Sequence, residues 1–247
     1  DEHKVVRLGE NLEGNYENIF QSLQKKGLNV GAISPMNLAN NLDNPSYFIP
    51  DPWTDTNSDK NYWSKLIHNT VSSFVKNNAR KKINIAQYLN LFIAFLKFAR
   101  IKNYLNYFRL FIKGTKKKWF RALFLDLFLH DIHMRKLNQN SVQFSNIFFN
   151  SLAHIQHHYF FNSIHRDKEK KNPKWYVSDK DDPLEDGINV FENILKDYFE
   201  LTKEYKIIIA TGLTQIPYDR LKYYYRLKKH KKFFSKFLID VSEVQEL

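Results

Sequence analysis

Between Gln143 and Tyr159 the chain changes its period, and that change restricts the fold more than any other feature. Ile147, Phe148 and Phe149 form a short apolar run that reads as a buried strand. Asn150 and Ser151 break the run, and His154, His157 and His158 follow at i, i+3 and i+4. Side chains so spaced share one face of a helix, so the three imidazoles are expected to converge on one point. A strand that hands ligand-type side chains to a following helix is how open α/β sheets build sites at their carboxyl edge. Neutral imidazole is a common ligand for zinc. The competing reading is a solvated, partly stacked His-rich helix start.

The rest of the chain supports helices around a sheet. Gly and Pro number only 7 each against 21 Phe and 14 Tyr, which favours long helices over an all-β sandwich. Asn15 to Lys26 reads as a helix with Asn15 as N-cap, closed by Gly27, and Leu28 to Ile33 as a strand. Ser34 to Trp53 carries Pro35, Pro45, Pro50 and Pro52 and reads as one long loop. In it Asp51 and Trp53 are candidate substrate-binding residues, the alternative being a surface loop pinned by Tyr47 and Trp53. Tyr62 to Asn77 has helical spacing. Ile83 to about Leu137 is helical and apolar on several faces, broken near Gly114 and Lys116, with a further helix from Trp119 to Lys136. This block is expected to be a helical insertion or cap that buries its Phe residues. Phe-, Leu- and Lys-rich helices can also lie on an anionic membrane, but apolar residues on several faces favour the cap. His130 and His133 form a His-x-x-His pair, read as a structural feature of a helix C-terminus.

Ser163 to Asp186 reads as an exposed charged loop, and Gly187 to Leu201 as a helix. Tyr205 to Ala210 reads as the clearest strand, running into Thr211–Gln215. Tyr218 to His230 interleaves Tyr with Arg and Lys, a pattern that can stack bases and bind phosphates. The fold expected is a three-layer α/β/α sandwich with a central, mostly parallel sheet and a large helical insertion. It divides into a first core part at 1–54, the insertion at 55–140 and a second core part at 141–247, within one domain.

Cys is absent, so any metal must be held by imidazole, carboxylate, amide or hydroxyl groups. That absence fits a reducing, cytoplasmic setting. The chain starts at Asp1 with no apolar signal segment and reads as trimmed or partial. No run has the length of a membrane-spanning helix. The net charge of +12 favours anionic partners.

Two stretches carry a resemblance to a known family. Lys25 to Ile33, with the loop through Phe48, Ile49, Pro50, Asp51, Pro52 and Trp53, is the first. The second is Asn150 to Tyr159, where Asn150 and His154 have the spacing of an Asp-x-x-x-His metal motif. In these the chain resembles the alkaline-phosphatase-like superfamily, nearest the type I phosphodiesterase/nucleotide pyrophosphatase branch. The resemblance implies metal-assisted phosphoryl or sulfuryl transfer on an anionic small molecule or glycan, with zinc the expected ion. Its ligands are expected to be His154, then His158 or His157, then Asn150. Two departures stand out. Asn150 replaces an Asp, and Thr211, Gly212 and Leu213 stand where an Asp-His pair belongs. The family's nucleophilic Thr or Ser falls upstream of Asp1. A remodelled relative that binds an anionic glycan or lipid intermediate without turnover is the alternative, and a nucleic-acid-binding module is the third reading.

Overall fold

The computed structural model describes residues 17–76, 85–139, 141–166, 171–211, 227 and 229–237. By compactness the chain divides into two units, 1–210 and 211–247. In the second unit, helix α8 (His230–Ser235) is the one regular element among the described residues. The first unit holds helices α1 (Ile19–Lys25), α2 (Tyr62–Lys76), α3 (Ile85–Phe98), α4 (Tyr104–Lys116), α5 (Trp119–Gln139), α6 (Ser151–Tyr159) and α7 (Pro183–Glu200). Its strands are β1 (Val30–Ile33), β2 (Tyr47–Ile49) and β3 (Phe144–Ile147).

Helix α1 is set by its ends. Asn18 accepts from the backbone of Gln21, and the Gln21 side chain returns the bond to the Asn18 backbone, a capping box worth about 1 kcal/mol. The N-cap is thus Asn18, not Asn15. Gly27, at φ 83°, takes the left-handed position after the helix. Leu28 N–H then donates to the Leu23 carbonyl and Gly27 N–H to that of Gln24, which completes a Schellman turn.

The sheet has the order β2–β1–β3, and both pairings are parallel. Ile33 stands opposite Ile49 on one side and Ile147 on the other. Alternation gives the sheet two working faces. Val30, Ala32 and Phe48 pack with Phe20 of α1 and with Phe144 on one face. Ile33, Tyr47 and Ile49 join the large core built around α5 on the other. The class is therefore mixed helix and sheet, rich in helix, around a small parallel sheet of three strands among the described residues.

Several expectations need correction. The proline-rich loop contains β2, whose Tyr47, Phe48 and Ile49 are wholly buried. Pro45 and Pro50 flank that strand without entering its ladder. The third strand lies earlier than the Phe148–Phe149 run suggested, because the ladder ends where the chain turns into α6. Tyr205 to Ala210 forms no strand, and Ile208 and Ile209 are 76% and 58% exposed. A β-branched run becomes a strand only where a neighbouring edge completes its hydrogen bonds. Helix α7 begins earlier than Gly187 because Asp182 caps it, accepting from Leu184 and Glu185, with Pro183 in the first turn.

Candidate functional site

All three strands run the same way in register, so their carboxyl ends deliver Ser34, Pro50 and Phe148 to one edge. The loop after β1 is bent sharply there. Ser34 and Asn37 adopt φ values of 54° and 53°, in the left-handed region that non-glycine residues seldom occupy. Ser34 N–H donates to the Ile49 carbonyl, which locks that loop to the end of β2.

Asp51 follows β2 and is fully buried. Its Oδ2 accepts from Asn37 N–H at 2.7 Å and from the Thr54 hydroxyl at 2.6 Å. Its Oδ1 accepts from Trp53 and Thr54 N–H at 2.7 and 2.9 Å. Both oxygens are therefore given to the loops after β1 and β2. Trp53 lies at the surface. The loop is pinned by Asp51 and by buried Tyr47, so Asp51 acts as the organiser of this edge.

After β3 the chain passes through Asn150 into α6. Asn150 is the helix boundary residue, in αR conformation, and its side chain makes no capping bond. The N-terminus of α6 is met from below by Asp126 of α5, whose Oδ2 accepts from Ser151 N–H at 2.9 Å. Burial pushes the Asp126 carboxyl up to about 6, against the bonds from Ser151 and Asn150 that favour its charge. Sequence reasoning passed over this residue, although a lone carboxylate in Leu125-Asp126-Leu127 of an apolar helix is itself a signal.

His154, His157 and His158 all lie on the exposed side of α6, while Ile155 and Tyr159 face the core. The rings of His154 and His158 are 4.6 Å apart, and His158 Nδ1 is 2.8 Å from the Tyr176 hydroxyl. Partial burial, and then the neighbouring imidazoles, lower the basicity of both His154 and His158. The arrangement brings together His154 and His158 as a pair of neutral imidazoles with His157 beside them. Among the described residues no group of three or more His, Asp or Glu side chains gathers as a metal cage would. As ligands of a divalent ion these residues thus fit in part, supplying two nitrogens and an oriented ring but no carboxylate.

A second polar constellation lies inside the molecule. His130, Asp131 and His133 are buried in the middle of α5 rather than at a helix end. Asp131 accepts from Arg100 Nε at 2.7 Å, from Arg100 N–H at 2.8 Å, from Asn103 at 2.7 Å and from the Tyr107 hydroxyl at 2.9 Å. Arg100 also bonds Asp197 of α7, and Lys102 donates to Asp197 at 2.6 Å. Burial opposes the charge of Asp197, but its bonds with His130, Lys102 and Arg100 hold it well below the usual carboxylate range. Burial likewise opposes the Arg100 charge, and Asp131 and Asp197 more than restore it. His133 bridges the Tyr198 hydroxyl at 2.8 Å and the Ser145 hydroxyl at 2.6 Å, and Tyr47 meets the same Ser145 oxygen at 2.6 Å. Burial pushes His133 down to about 3, so it is neutral in the folded state. These groups join α5 to α7, to the α3–α4 connection and to the sheet. His130 and His133 thus tie these elements together from the middle of α5, not from the helix C-terminus where the sequence reading put them.

The residues Tyr218 to His230 lie almost wholly outside the described residues. No helix of the described residues is long and apolar enough to cross a membrane. Comparison with family models, with curated proteins and with solved structures yields no match for this chain. The fold defines a class, a helix-rich protein on a small parallel sheet with a constrained carboxyl edge.

Proposed function

We propose that this chain belongs to a phosphoester- or sulfate-ester-directed protein of the alkaline-phosphatase-like kind, built on the α/β/α sandwich plan. Its activity on this reading is metal-dependent hydrolysis or transfer. The observation that carries the reading is the shared carboxyl edge, where three parallel strands end beside two left-handed residues and the start of α6. Unusual backbone at such an edge is common where ligands bind. One and two helical turns on, on the exposed side of α6, His154 and His158 supply imidazoles of lowered basicity, with the Tyr176 hydroxyl orienting the second. A zinc ion held there supplies Lewis-acid polarisation of a phosphoryl or sulfuryl oxygen. The chain's own contribution is to hold His154 and His158 neutral and to fix the loops after β1 and β2 through Asp51. The positive net charge draws anionic substrates toward the protein.

The occupied Asp51 carboxylate and the amide at Asn150 favour a second reading, a relative that binds an anionic glycan or lipid intermediate without turnover. Zinc titration separates the two. On the first reading the protein binds one zinc, His154→Ala and His158→Ala each weaken binding at least about tenfold, and zinc-loaded protein hydrolyses an aryl phosphodiester. Zinc binding unaffected by either substitution, with no hydrolysis, would remove the first reading.

A further inference from the structure

Phe92 of α3 and Phe108 and Phe111 of α4 are not buried as a cap requires, although Phe98 of α3 is. On α3, Ile85, Leu89, Phe92 and Leu96 stand exposed at i, i+4, i+7 and i+11, with Phe92 57% accessible. On α4 and the turn before it, Ile101, Leu105, Phe108 and Ile112 repeat the spacing, with Phe108 63% and the adjoining Phe111 65% accessible. The opposite faces are the packed ones. Ala94 and Phe98 of α3, and Tyr107 and Leu110 of α4, belong to the core. Phe95 and Tyr107 both lie against Phe124 of α5, at 6.0 and 5.0 Å between ring centres. Both helices therefore rest on α5 and turn an apolar stripe away from it. Phe95 stacked on Tyr104 joins them at their connection. Soluble surfaces seldom leave so many large apolar side chains exposed without a partner.

Charge says what the partner is. Between Asp59 and Asp126 the sequence contains 15 Lys and Arg and no Asp or Glu. That stretch carries +15 of a net +12, so the remainder of the chain sums to −3. On α3, α4 and the turn after α4, Lys97, Arg109, Lys113, Lys116 and Lys118 border the stripes. A second copy docking face to face would oppose like charges across the contact. Nucleic acid has no use for an aliphatic stripe. A bilayer surface with anionic head groups takes both parts at once, the apolar side chains at the acyl boundary and the lysines among the head groups.

We infer that α3 and α4 form an interfacial docking face that lays this protein on an anionic membrane surface, with neither helix crossing it. The inference stands on α3 and α4 alone and does not depend on chemistry at the sheet edge.

The test is co-sedimentation of the full 247-residue chain with vesicles of phosphatidylcholine, with and without about 30 mol% phosphatidylserine. Binding is expected to be at least about tenfold tighter with the anionic lipid and to weaken with salt. The triple variant Phe92→Ser, Phe108→Ser, Phe111→Ser is expected to lose at least about tenfold in partitioning with its melting temperature held, since each side chain is exposed. Lys116→Glu with Lys118→Glu is expected to lose the preference for anionic over neutral vesicles. Failure of the wild-type chain to sediment with anionic vesicles would overturn the inference, as would binding that the triple variant leaves intact. A wild-type dimer in sedimentation velocity that the triple variant dissociates, without vesicle binding, would overturn it in favour of self-association.

Discussion

Replacing Asp126 by Asn should make the protein relatively more stable as pH rises. The carboxyl is 3% exposed, and burial raises it from the ordinary 3.8 to about 6. A raised carboxyl favours folding below its unfolded value, and that advantage is lost as pH climbs through the folded value. The gap is worth ~3 kcal/mol at pH 7.5, from 1.36 kcal/mol for each pH unit. Asn carries no charge to bury, and its Oδ1 can still accept from Ser151 N–H. The measurement is urea unfolding of wild type and Asp126→Asn at several pH values, followed by tryptophan fluorescence. The variant-minus-wild-type stability should grow by ~3 kcal/mol from about pH 3 to 7.5, most of it between pH 4 and 6. Titration of His133 occurs in both proteins and cancels in the difference, as does any fixed offset from the amide's extra N–H groups. A difference flat in pH, or one that favours wild type as pH rises, would refute the account of Asp126 as a strained internal anion beneath α6.

Asp131→Ala should cost roughly 3–5 kcal/mol, because it leaves Arg100, Asn103 and Tyr107 facing an empty site in the interior. Chemical denaturation checks it, and a loss under about 1 kcal/mol would show the network to be dispensable. Gly31→Ala should be costly too, by about 2–3 kcal/mol, since its added Cβ would meet the Tyr47 ring at 2.4 Å. Tyr47 cannot swing aside without breaking its bond to Ser145, so a thermal melt within a degree of wild type would contradict the packing described.

What could be read from the sequence was whatever depends on neighbours along the chain. The close of α1 at Gly27 is set by local backbone geometry. The helical character of α2 to α5 is written in their spacing, and so is the histidine face of α6. What escaped depended on distant partners. Strand β2 is only three residues among prolines, and it exists because β1 offers an edge to it. Tyr205 to Ala210 has a better strand composition and lacks a ladder. The histidines of α5 read as charges at a helix terminus, and only the approach of α7 and Ser145 shows them as internal ties. The apolar faces of α3 and α4 were legible as apolar. Which side would be covered was decided by the position of α5.

The order of strands also has a consequence for synthesis. Central strand β1 pairs with β2 within a short span, yet its other flank is completed only by residues 144–147. During translation that flank has no strand to pair with until residues 144–147 emerge, after α2 to α5. An unpaired strand flank on a nascent chain is a template for misassociation. The ribosome-bound protein should therefore be most in need of a chaperone in the interval before β3 emerges, and least once Ile147 has left the exit tunnel.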